Sequence, residues 1–247
     1  MDIPHIIMQT WKTETLPDKW LPSQDAINRH MKDWKYVLMT DQDNREFVKK
    51  HFPDYIELYD SFKFPIQRAD MIRYCWLYIN GGIYIDCDIE ILGDISHLLP
   101  SSDTSKCFLV KSGNMDKVFT NALMASYPKC ELWIKMLEYM KQYYQSTYQI
   151  TSIDRHLEIM YSTGPMALTA VAKKNMNIVI PLPSDILNPY NICEQCYDKE
   201  KSLVKPLEGS SWVTPIGKFY QSCYCNRHSL IAIAIIVVLL IIAYFLF

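Results

Sequence analysis

The pattern of apolar and polar positions predicts strands that alternate with helices along most of the chain. Apolar runs at residues 4–12 and 34–43 are typical of buried strands. Helical periodicity follows them at residues 23–33, with Ser23 as the cap, and at residues 44–51. Because the predicted strands alternate with helices along the chain, the pattern favours an α/β domain.

A longer helix is predicted over residues 65–80, where Ile72, Trp76 and Ile79 share one face. It ends at the pair Gly81-Gly82, which typically interrupts a helix. The other predicted elements are helices over residues 131–144 and 165–174 and an irregular, Pro-rich segment with short strands at most over residues 177–217.

After Gly82, in the stretch IYIDCDIEI, an Ile or Cys occupies every second position. In a single strand over residues 83–91, Tyr84, Asp86, Asp88 and Glu90 would share one face and the Ile and Cys side chains the other. An edge strand with a solvated face is one interpretation. However, the two aspartates would lie at the far end of the strand, where α/β sheets bind ligands. Paired carboxylates suit Mg²⁺ or Mn²⁺, and such an ion could neutralise a diphosphate.

The preceding helix carries a second polar pair. Asp70 and Arg73 are three residues apart and therefore share a helical face. Asp70 could hold a ribose hydroxyl, and Arg73 could contact a phosphate through two parallel hydrogen bonds. A surface ion pair without a functional role is the alternative.

Composition and charge limit the classes of molecule that the protein is expected to bind. Of the 247 residues, 49% are apolar, which is enough for a sizeable core. The formal net charge is −2, acids and bases are intermixed, and no basic run is present. We therefore expect no nucleic-acid partner.

The last 19 residues, 229–247, contain no charged side chain. At about 1.5 Å per residue they match the hydrocarbon core of a bilayer. The predicted organisation is a folded domain over residues 1–217, a Cys-containing juxtamembrane linker over 218–228 and a transmembrane helix over 229–247. Lys218, Arg227 and His228 precede the span, so the positive-inside tendency places the domain in the cytosol.

Four cysteines near this end stand apart from the others: Cys193, Cys196, Cys223 and Cys225. Four thiolates could bind a structural zinc ion, and two disulfides would suit a luminal domain. Cys223 and Cys225 could also be palmitoylated near the membrane. Free thiols are the remaining alternative.

Several motifs together indicate a family. The segments IPHIIMQTWK, FPIQRADMIRY, YINGGIYIDCDIEIL, STGPMALT and GSSW closely resemble family 32 of the glycosyltransferases, whose sugar-binding region contains the DxD motif. Within it they resemble the fungal inositol phosphoceramide mannosyltransferases. The resemblance covers about residues 3–215 and is strongest over 64–92. Arg-Ala-Asp-x-x-Arg-Tyr followed at this spacing by Gly-Gly-x-Tyr-x-Asp-x-Asp is far more specific than a lone Asp-x-Asp.

The resemblance implies a GT-A fold, in which a Rossmann-like mixed sheet flanked by helices binds a nucleotide sugar. It implies Mn²⁺- or Mg²⁺-dependent, retaining transfer of mannose from GDP-mannose to an inositol phosphoceramide lipid, on membranes of the endoplasmic reticulum or Golgi. Two alternatives stay open. One is hexosyl transfer from a UDP-sugar to a glycan or protein, and the other is a catalytically degenerate, membrane-anchored sugar-nucleotide or lipid binder.

The same resemblance assigns roles to individual residues. The catalytic residues are Asp86, Asp88 and Arg73. The donor-binding residues are Gln9, Thr10, Trp11, Asp70, Arg73, Gly82, Tyr84, Asp86, Ser211 and Trp212. The acceptor-binding residues are Asn114, Thr163, Gly164 and Pro165. The metal ligands are Asp86, Asp88 and Glu208. Met8 and Val213 stand where the family usually has His, so Glu208, Ser211 or water is expected to complete the metal's ligands.

Overall fold

A mixed sheet of six strands forms the centre of the protein. The computed structural model describes residues 3–99, 102–112, 115–146, 154–188, 200–209, 213–227, 229 and 231. The strands are β1 (Ile6–Thr10), β2 (Lys35–Met39), β3 (Gly82–Ile85), β4 (Ile89–Ile91), β5 (Cys107–Ser112), β6 (Met115–Ser126), β7 (Val179–Leu182) and β8 (Val204–Pro206). Their order in the main sheet is β2-β1-β3-β6-β5-β7, while β4 and β8 form a small antiparallel sheet. β1 runs parallel to β2 and β3, β7 runs parallel to β5, and β6 is antiparallel to its neighbours β3 and β5.

Helices cover both faces of this sheet. They are α1 (Leu21–His30), α2 (Asp41–His51), α3 (Ile56–Ser61), α4 (Pro65–Asn80), α5 (Glu131–Gln145), α6 (Arg155–Ser162), α7 (Pro165–Lys174), α8 (Ser184–Leu187) and α9 (Pro215–Cys225). Alternate strand residues enter two separate cores. Met8 and Tyr84 pack into the core that contains α4, α5 and α7, while Ile7, Ile83 and Ile85 pack into the core that contains α1. Apolar side chains are thus needed on both faces of β1 and β3.

The predicted helices over residues 65–80, 131–144 and 165–174 are confirmed as α4, α5 and α7. The first helix differs, because α1 begins at Leu21 and Ser23 does not cap it. Ser23 is buried and donates its hydroxyl to the Ile89 carbonyl instead.

The second helix also starts earlier than predicted. Thr40 caps α2 through a reciprocal capping box with Asp43, so the strand predicted over residues 34–43 ends at Met39.

The single strand predicted over residues 83–91 is wrong. β3 ends at Ile85, and the chain turns over residues 86–88, where the Ile89 amide donates to the Asp86 carbonyl at 3.1 Å. β4 then pairs with β8 in the second sheet. The physical reason is burial: β3 lies between β1 and β6 with all four residues buried, and a carboxylate there would lose its hydration without compensation.

The two glycines before β3 make a tight connection from α4 to the sheet. Gly81 and Gly82 have φ angles of 66° and 83°, in the region that favours glycine. A Cβ on Gly82 would lie 2.3 Å from the Ile6 carbonyl oxygen. Gly82 is the first residue of β3, and Asp86 follows the last one. Gly82 therefore shapes the connection between α4 and β3 and lies away from the place where a donor would approach Asp86.

The boundary predicted between residues 217 and 218 falls inside α9, which Thr214 caps through the Gly217 amide. The span predicted over residues 229–247 lies, apart from residues 229 and 231, outside the described residues. Where the structure is described, no helix combines the length and apolar character that crossing a membrane requires.

Cys225 is disulfide-bonded, whereas Cys223 is a free thiol. The other two cysteines of this group, Cys193 and Cys196, lie outside the described residues. A sulfur in a disulfide is not available as a thiolate ligand, so a zinc site built from all four cysteines is excluded.

Candidate active site

A cleft of about 290 Å³ opens at the carboxyl ends of β1 and β3. Because these two strands are parallel neighbours, the residues that follow each of them meet at one edge of the sheet. Six of the residues assigned from the sequence line the cleft: Thr10, Trp11, Arg73, Tyr84, Asp86 and Asp88. The prediction that the Asp-x-Asp pair lies at the ligand edge of the sheet is therefore confirmed.

Gln9 lies behind the cleft and holds the Asp-x-Asp turn in place. Its side chain is fully buried and donates to the Asp86 carbonyl at 3.2 Å and to the Ser23 hydroxyl at 2.9 Å. The Tyr36 hydroxyl donates to the Gln9 amide oxygen at 2.9 Å, which fixes the orientation of that amide. Gln9 thus positions the turn through its backbone and does not itself line the cleft.

One side-chain and one backbone hydrogen bond fix the rest of the turn. The Cys87 thiol donates to the Thr10 carbonyl at 3.3 Å, which ties the turn to the end of β1. The Leu207 amide donates to the Asp88 carbonyl at 2.7 Å, which ties it to the segment after β8. The two carboxylates are therefore presented from a backbone that is anchored on both sides.

Arg73 links the two acidic motifs. Its guanidinium contacts Asp70 Oδ1 at 3.1 Å and Asp86 Oδ1 at 3.2 Å, and it donates to the Asn121 carbonyl at 2.8 Å. Burial lowers the pKa of Arg73, but the carboxylates of Asp86 and Asp70 beside it raise it above its ordinary value. Arg73 therefore remains charged and holds Asp86 in position, while the Tyr84 hydroxyl donates to the same carboxylate.

Asp70 is not part of a surface ion pair. Its side chain is 5% exposed, and its two oxygens accept from Asn121 Nδ2 at 2.9 Å and from the Thr163 hydroxyl at 2.7 Å. Burial raises the pKa of Asp70 to about 6, although Arg73 and Thr163 oppose the rise. Asp70 lies behind Arg73 and does not line the cleft. Its position therefore does not support the predicted contact with a ribose hydroxyl.

The predicted acceptor residues lie deeper than expected. Thr163 is fully buried, and its hydroxyl donates a hydrogen bond to Asp70. Gly164 and Pro165 form the start of α7. None of these three lines the cleft within the described part of the chain. Asn114, Ser211 and Trp212, which were assigned to the acceptor and donor sites, lie outside the described residues.

Glu208 does not complete a three-ligand metal site. Its backbone carbonyl accepts a hydrogen bond from the Trp20 indole at 2.7 Å, and its neighbour Gly209 lies against Asp88. Across the described ranges no group of three His, Cys, Asp or Glu side chains is arranged to hold a metal ion. Glu208 is exposed and belongs to no such group, so its assignment as the third ligand stays a prediction without support from this arrangement.

Two tryptophans and two lysines that the sequence analysis did not single out as a group surround the entrance. Trp11 and Trp20 meet edge to face with ring centroids 4.7 Å apart. Lys12 lies over the Trp11 ring at 5.4 Å, and Lys19 lies over the Trp20 ring at 5.1 Å. Flat aromatic surfaces stack on a nucleobase, and adjacent ammonium groups attract phosphate. Trp20 is in a short 3-10 helix, Asp18–Trp20, which has no periodic signal in the sequence.

Comparison with known proteins agrees with this geometry. Residues 17–105 match the family described as the glycosyltransferase sugar-binding region containing the DXD motif. The chain is 33% identical, over 85% of its length, to mannosyl phosphorylinositol ceramide synthase SUR1 of Saccharomyces cerevisiae and to inositol phosphoceramide mannosyltransferase 2 of Schizosaccharomyces pombe. The chain is thus similar to glycosyltransferases that have a DxD-containing sugar-binding region. It spans about half the length of these curated relatives, 52% and 58% respectively.

Solved glycosyltransferase structures show the same fold at low identity. The PaToxG glycosyltransferase gives a TM-score of 0.53 at 16% identity and covers 71% of this chain and 70% of its own. The ligand-free glycosyltransferase domain from the YGT toxin gives 0.57 at 8% identity and covers 73% and 80%. These likenesses show a GT-A-like mixed sheet flanked by helices, as predicted.

The residues of this cleft fit a divalent cation that is only partly held by protein. Asp86 and Asp88 are half-buried and supply hard oxygen ligands from one turn. Mg²⁺ and similar ions are commonly bound by one or two carboxylates, with water and substrate phosphates completing the shell. A site with two carboxylates that opens into a cleft matches this pattern.

Gly209 was missed by sequence reasoning, and the Asp-x-Asp site depends on its lack of a side chain. A Cβ there would lie 1.9 Å from Asp88 Oδ2. We expect Gly209→Ala to displace this carboxylate and to weaken Mn²⁺ binding by about 10- to 100-fold, the usual cost of disturbing a metal site. Calorimetric titration measures the affinity. Gly93→Ala is the matched control, since its nearest heavy atom is 3.4 Å away, and equal affinities in both variants would contradict the assignment.

Cation binding in the cleft should depend on pH through Asp88. Burial raises the pKa of Asp88 to about 7, and the charge of Asp86 adds to the rise. Below that pH the carboxyl carries a proton, which must leave before a cation binds. We therefore expect Mn²⁺ affinity to fall about tenfold for each pH unit below 7 and to level off above it. Electron paramagnetic resonance titrations across this range test the slope, and a flat profile would show that no carboxyl with a raised pKa controls cation binding.

Proposed function

We propose that this chain transfers mannose from GDP-mannose to an inositol phosphoceramide lipid, with the help of Mn²⁺ or Mg²⁺ and with retention at the anomeric carbon. The names of the relatives support the sugar and the acceptor class. The observation that carries the chemistry is the anchored turn Asp86-Cys87-Asp88, which opens into a cleft rimmed by aromatic rings and lysines.

Each part of the cleft has a role in this proposal. Asp86 and Asp88 would hold the divalent cation, which supplies positive charge where the nucleoside diphosphate leaves. Trp11 would stack on the donor, with Lys12 close to the phosphates. Arg73 acts by positioning Asp86, since its guanidinium is already engaged by two carboxylates.

Retention requires no separate protein base in this proposal. The acceptor hydroxyl gives its proton to a phosphate oxygen of the departing diphosphate while the new glycosidic bond forms on the same face. A covalent route would instead need a carboxylate next to the anomeric carbon. Nuclear magnetic resonance of the product tests this step, because retention converts an α-linked donor into an α-linked product.

A membrane location is part of the proposal. Residues 229–247 would anchor the protein in the endoplasmic reticulum or Golgi membrane, where the lipid acceptor also lies, with the domain on the cytosolic side. Protease treatment of sealed membrane vesicles would digest a cytosolic domain, whereas protection would place it in the lumen.

The proposed activity is tested with a panel of GDP-mannose, UDP-glucose and UDP-galactose, each with inositol phosphoceramide in detergent and with or without Mn²⁺. Transfer from GDP-mannose that requires the metal supports the proposal. Transfer from a UDP-sugar would favour the alternative of a UDP-hexose-dependent enzyme. Donor binding without hydrolysis or transfer would favour a degenerate binder. That alternative stays open because no third protein ligand joins the two aspartates among the described residues.

A further inference from the structure

We propose that Arg155 binds the phosphodiester of the acceptor lipid and thereby makes the enzyme specific for an anionic acceptor. This inference rests on the proposed function and assigns to the acceptor a residue that none of the sequence motifs contains. Arg155 is the first residue of α6, and it lines the same cleft as Asp86 and Asp88.

Arg155 differs from Arg73 in forming no ion pair with any described residue. Arg73 is buried between Asp70 and Asp86. Lys12 comes from the end of β1 and lies over Trp11, on the part of the rim that carries the paired indoles. Arg155 is exposed and lies beside Phe64 instead, in the lining of the same cleft.

The acids nearest to Arg155 in the chain are already engaged elsewhere. Asp154 caps α6 by accepting from the His156 amide at 2.8 Å, and it also accepts from the Thr214 hydroxyl at 2.9 Å. Glu158 is buried, and its carboxylate pairs with Lys63 at 3.4 Å. Since these carboxylates have other partners, the charge of Arg155 is available to a ligand in the cleft.

An apolar strip adjoins this charge. Phe64, Pro65 and Ile66, at the start of α4, line the cleft, and the Arg155 guanidinium lies 5.6 Å from the centre of the Phe64 ring. A guanidinium beside exposed apolar surface suits a ligand that joins a phosphate to hydrocarbon, and its planar donors match two phosphate oxygens. A phosphodiester lipid has this chemistry, whereas a free sugar phosphate lacks the apolar part.

The donor diphosphate is the competing source of phosphate, and two soluble probes separate the possibilities. Glycerophosphoinositol carries the phosphodiester of the acceptor, and myo-inositol is its neutral counterpart. We expect the full chain to bind glycerophosphoinositol more tightly than myo-inositol. Arg155→Gln should reduce this preference by about 10- to 100-fold, the range for losing a charge-assisted hydrogen-bonded pair, and should leave GDP-mannose binding unchanged.

Three further measurements make the test specific. Arg155→Lys keeps the charge and should recover part of the preference, which a purely structural role would not explain. Arg29→Gln removes an exposed arginine of α1 and should behave as wild type. In steady-state assays, Arg155→Gln should raise the KM for inositol phosphoceramide and leave the KM for GDP-mannose and the rate of donor hydrolysis as they are.

The inference is overturned if the wild type shows no preference for the phosphodiester, if Arg155→Gln keeps that preference, or if the variant weakens GDP-mannose binding instead. Because the binding probes need no turnover, this result is independent of the donor assay. Loss of the preference in Arg155→Gln would support the acceptor site even if the sugar donor proved to be a different nucleotide sugar.

Discussion

Replacing Asp88 by Asn should reduce kcat/KM for mannosyl transfer by about 10³-fold or more, because the loss of charge removes a cation ligand from the place where the diphosphate leaves. The side chain keeps its shape, and the turn is held by the Cys87 thiol, which donates to the Thr10 carbonyl, and by the Leu207 amide, which donates to the Asp88 carbonyl. Initial rates at one fixed Mn²⁺ concentration, with GDP-mannose varied below its KM, measure the effect.

The same variant separates chemistry from folding. Burial disfavours the ionised form of Asp88 in the cation-free protein, since its pKa is raised to about 7. Above that pH the neutral Asn removes this penalty, so the thermal unfolding temperature should stay unchanged or rise slightly. Asp25→Asn, on an exposed position of α1, is the matched control and should keep full activity. Substantial activity in Asp88→Asn would show that the cation is held elsewhere or is not required.

Replacing Arg73 by Met should lower the free energy of unfolding by about 3–5 kcal/mol, the usual result of leaving a buried carboxylate without its partner. Arg73 and Asp70 are both almost completely buried, and the guanidinium also supports Asp86. Urea unfolding at neutral pH measures the loss. Activity should fall as well, because Asp86 loses its positioning contact.

A double variant identifies the cause of this destabilisation. Adding Asp70→Asn to Arg73→Met removes the unpaired charge and should recover part of the lost stability. Arg45→Met is the control at the surface: Arg45 pairs with Asp60, but both side chains are exposed, so the urea midpoint should change little. If Arg73→Met unfolds at the wild-type midpoint, the buried pair is not a major contributor to the fold.

Local sequence signals were sufficient for the elements on which the site is built. The apolar period of residues 65–80 and the glycine pair after them predicted α4 and the start of β3. Those two elements place Arg73 and Asp86 at the same edge of the sheet. Asp86 and Asp88 were found because charged residues are unusual in an otherwise apolar run.

Other parts of the site depend on contacts between segments that are far apart in the sequence. The alternation over residues 83–91 is the same whether the chain continues as one strand or turns into a second sheet. After the turn, β4 finds its partner in β8, and Lys205 contacts Glu90 at 2.8 Å. The sequence gives no local signal for such a partner, which also explains why Gly209 was missed.

Family motifs located residues correctly but did not define how each one acts. Gln9, Asp70 and Thr163 belong to recognised segments, yet in the structure they hold other residues in place. A motif records that a residue type is required at a position. Whether that residue faces the ligand or supports a neighbour is decided by burial, which the motif does not contain.

The small sheet of β4 and β8 has a consequence for how the protein opens. β8 is joined to β4 through three residue pairs, whereas β3 lies between two strands in the middle of the main sheet. Local unfolding requires less free energy where few buried contacts are broken, so the amides of β8 should exchange with solvent faster than those of β3. We therefore expect the segment that follows β8 and carries Gly209 to open more often than the main-sheet backbone that leads to Asp86.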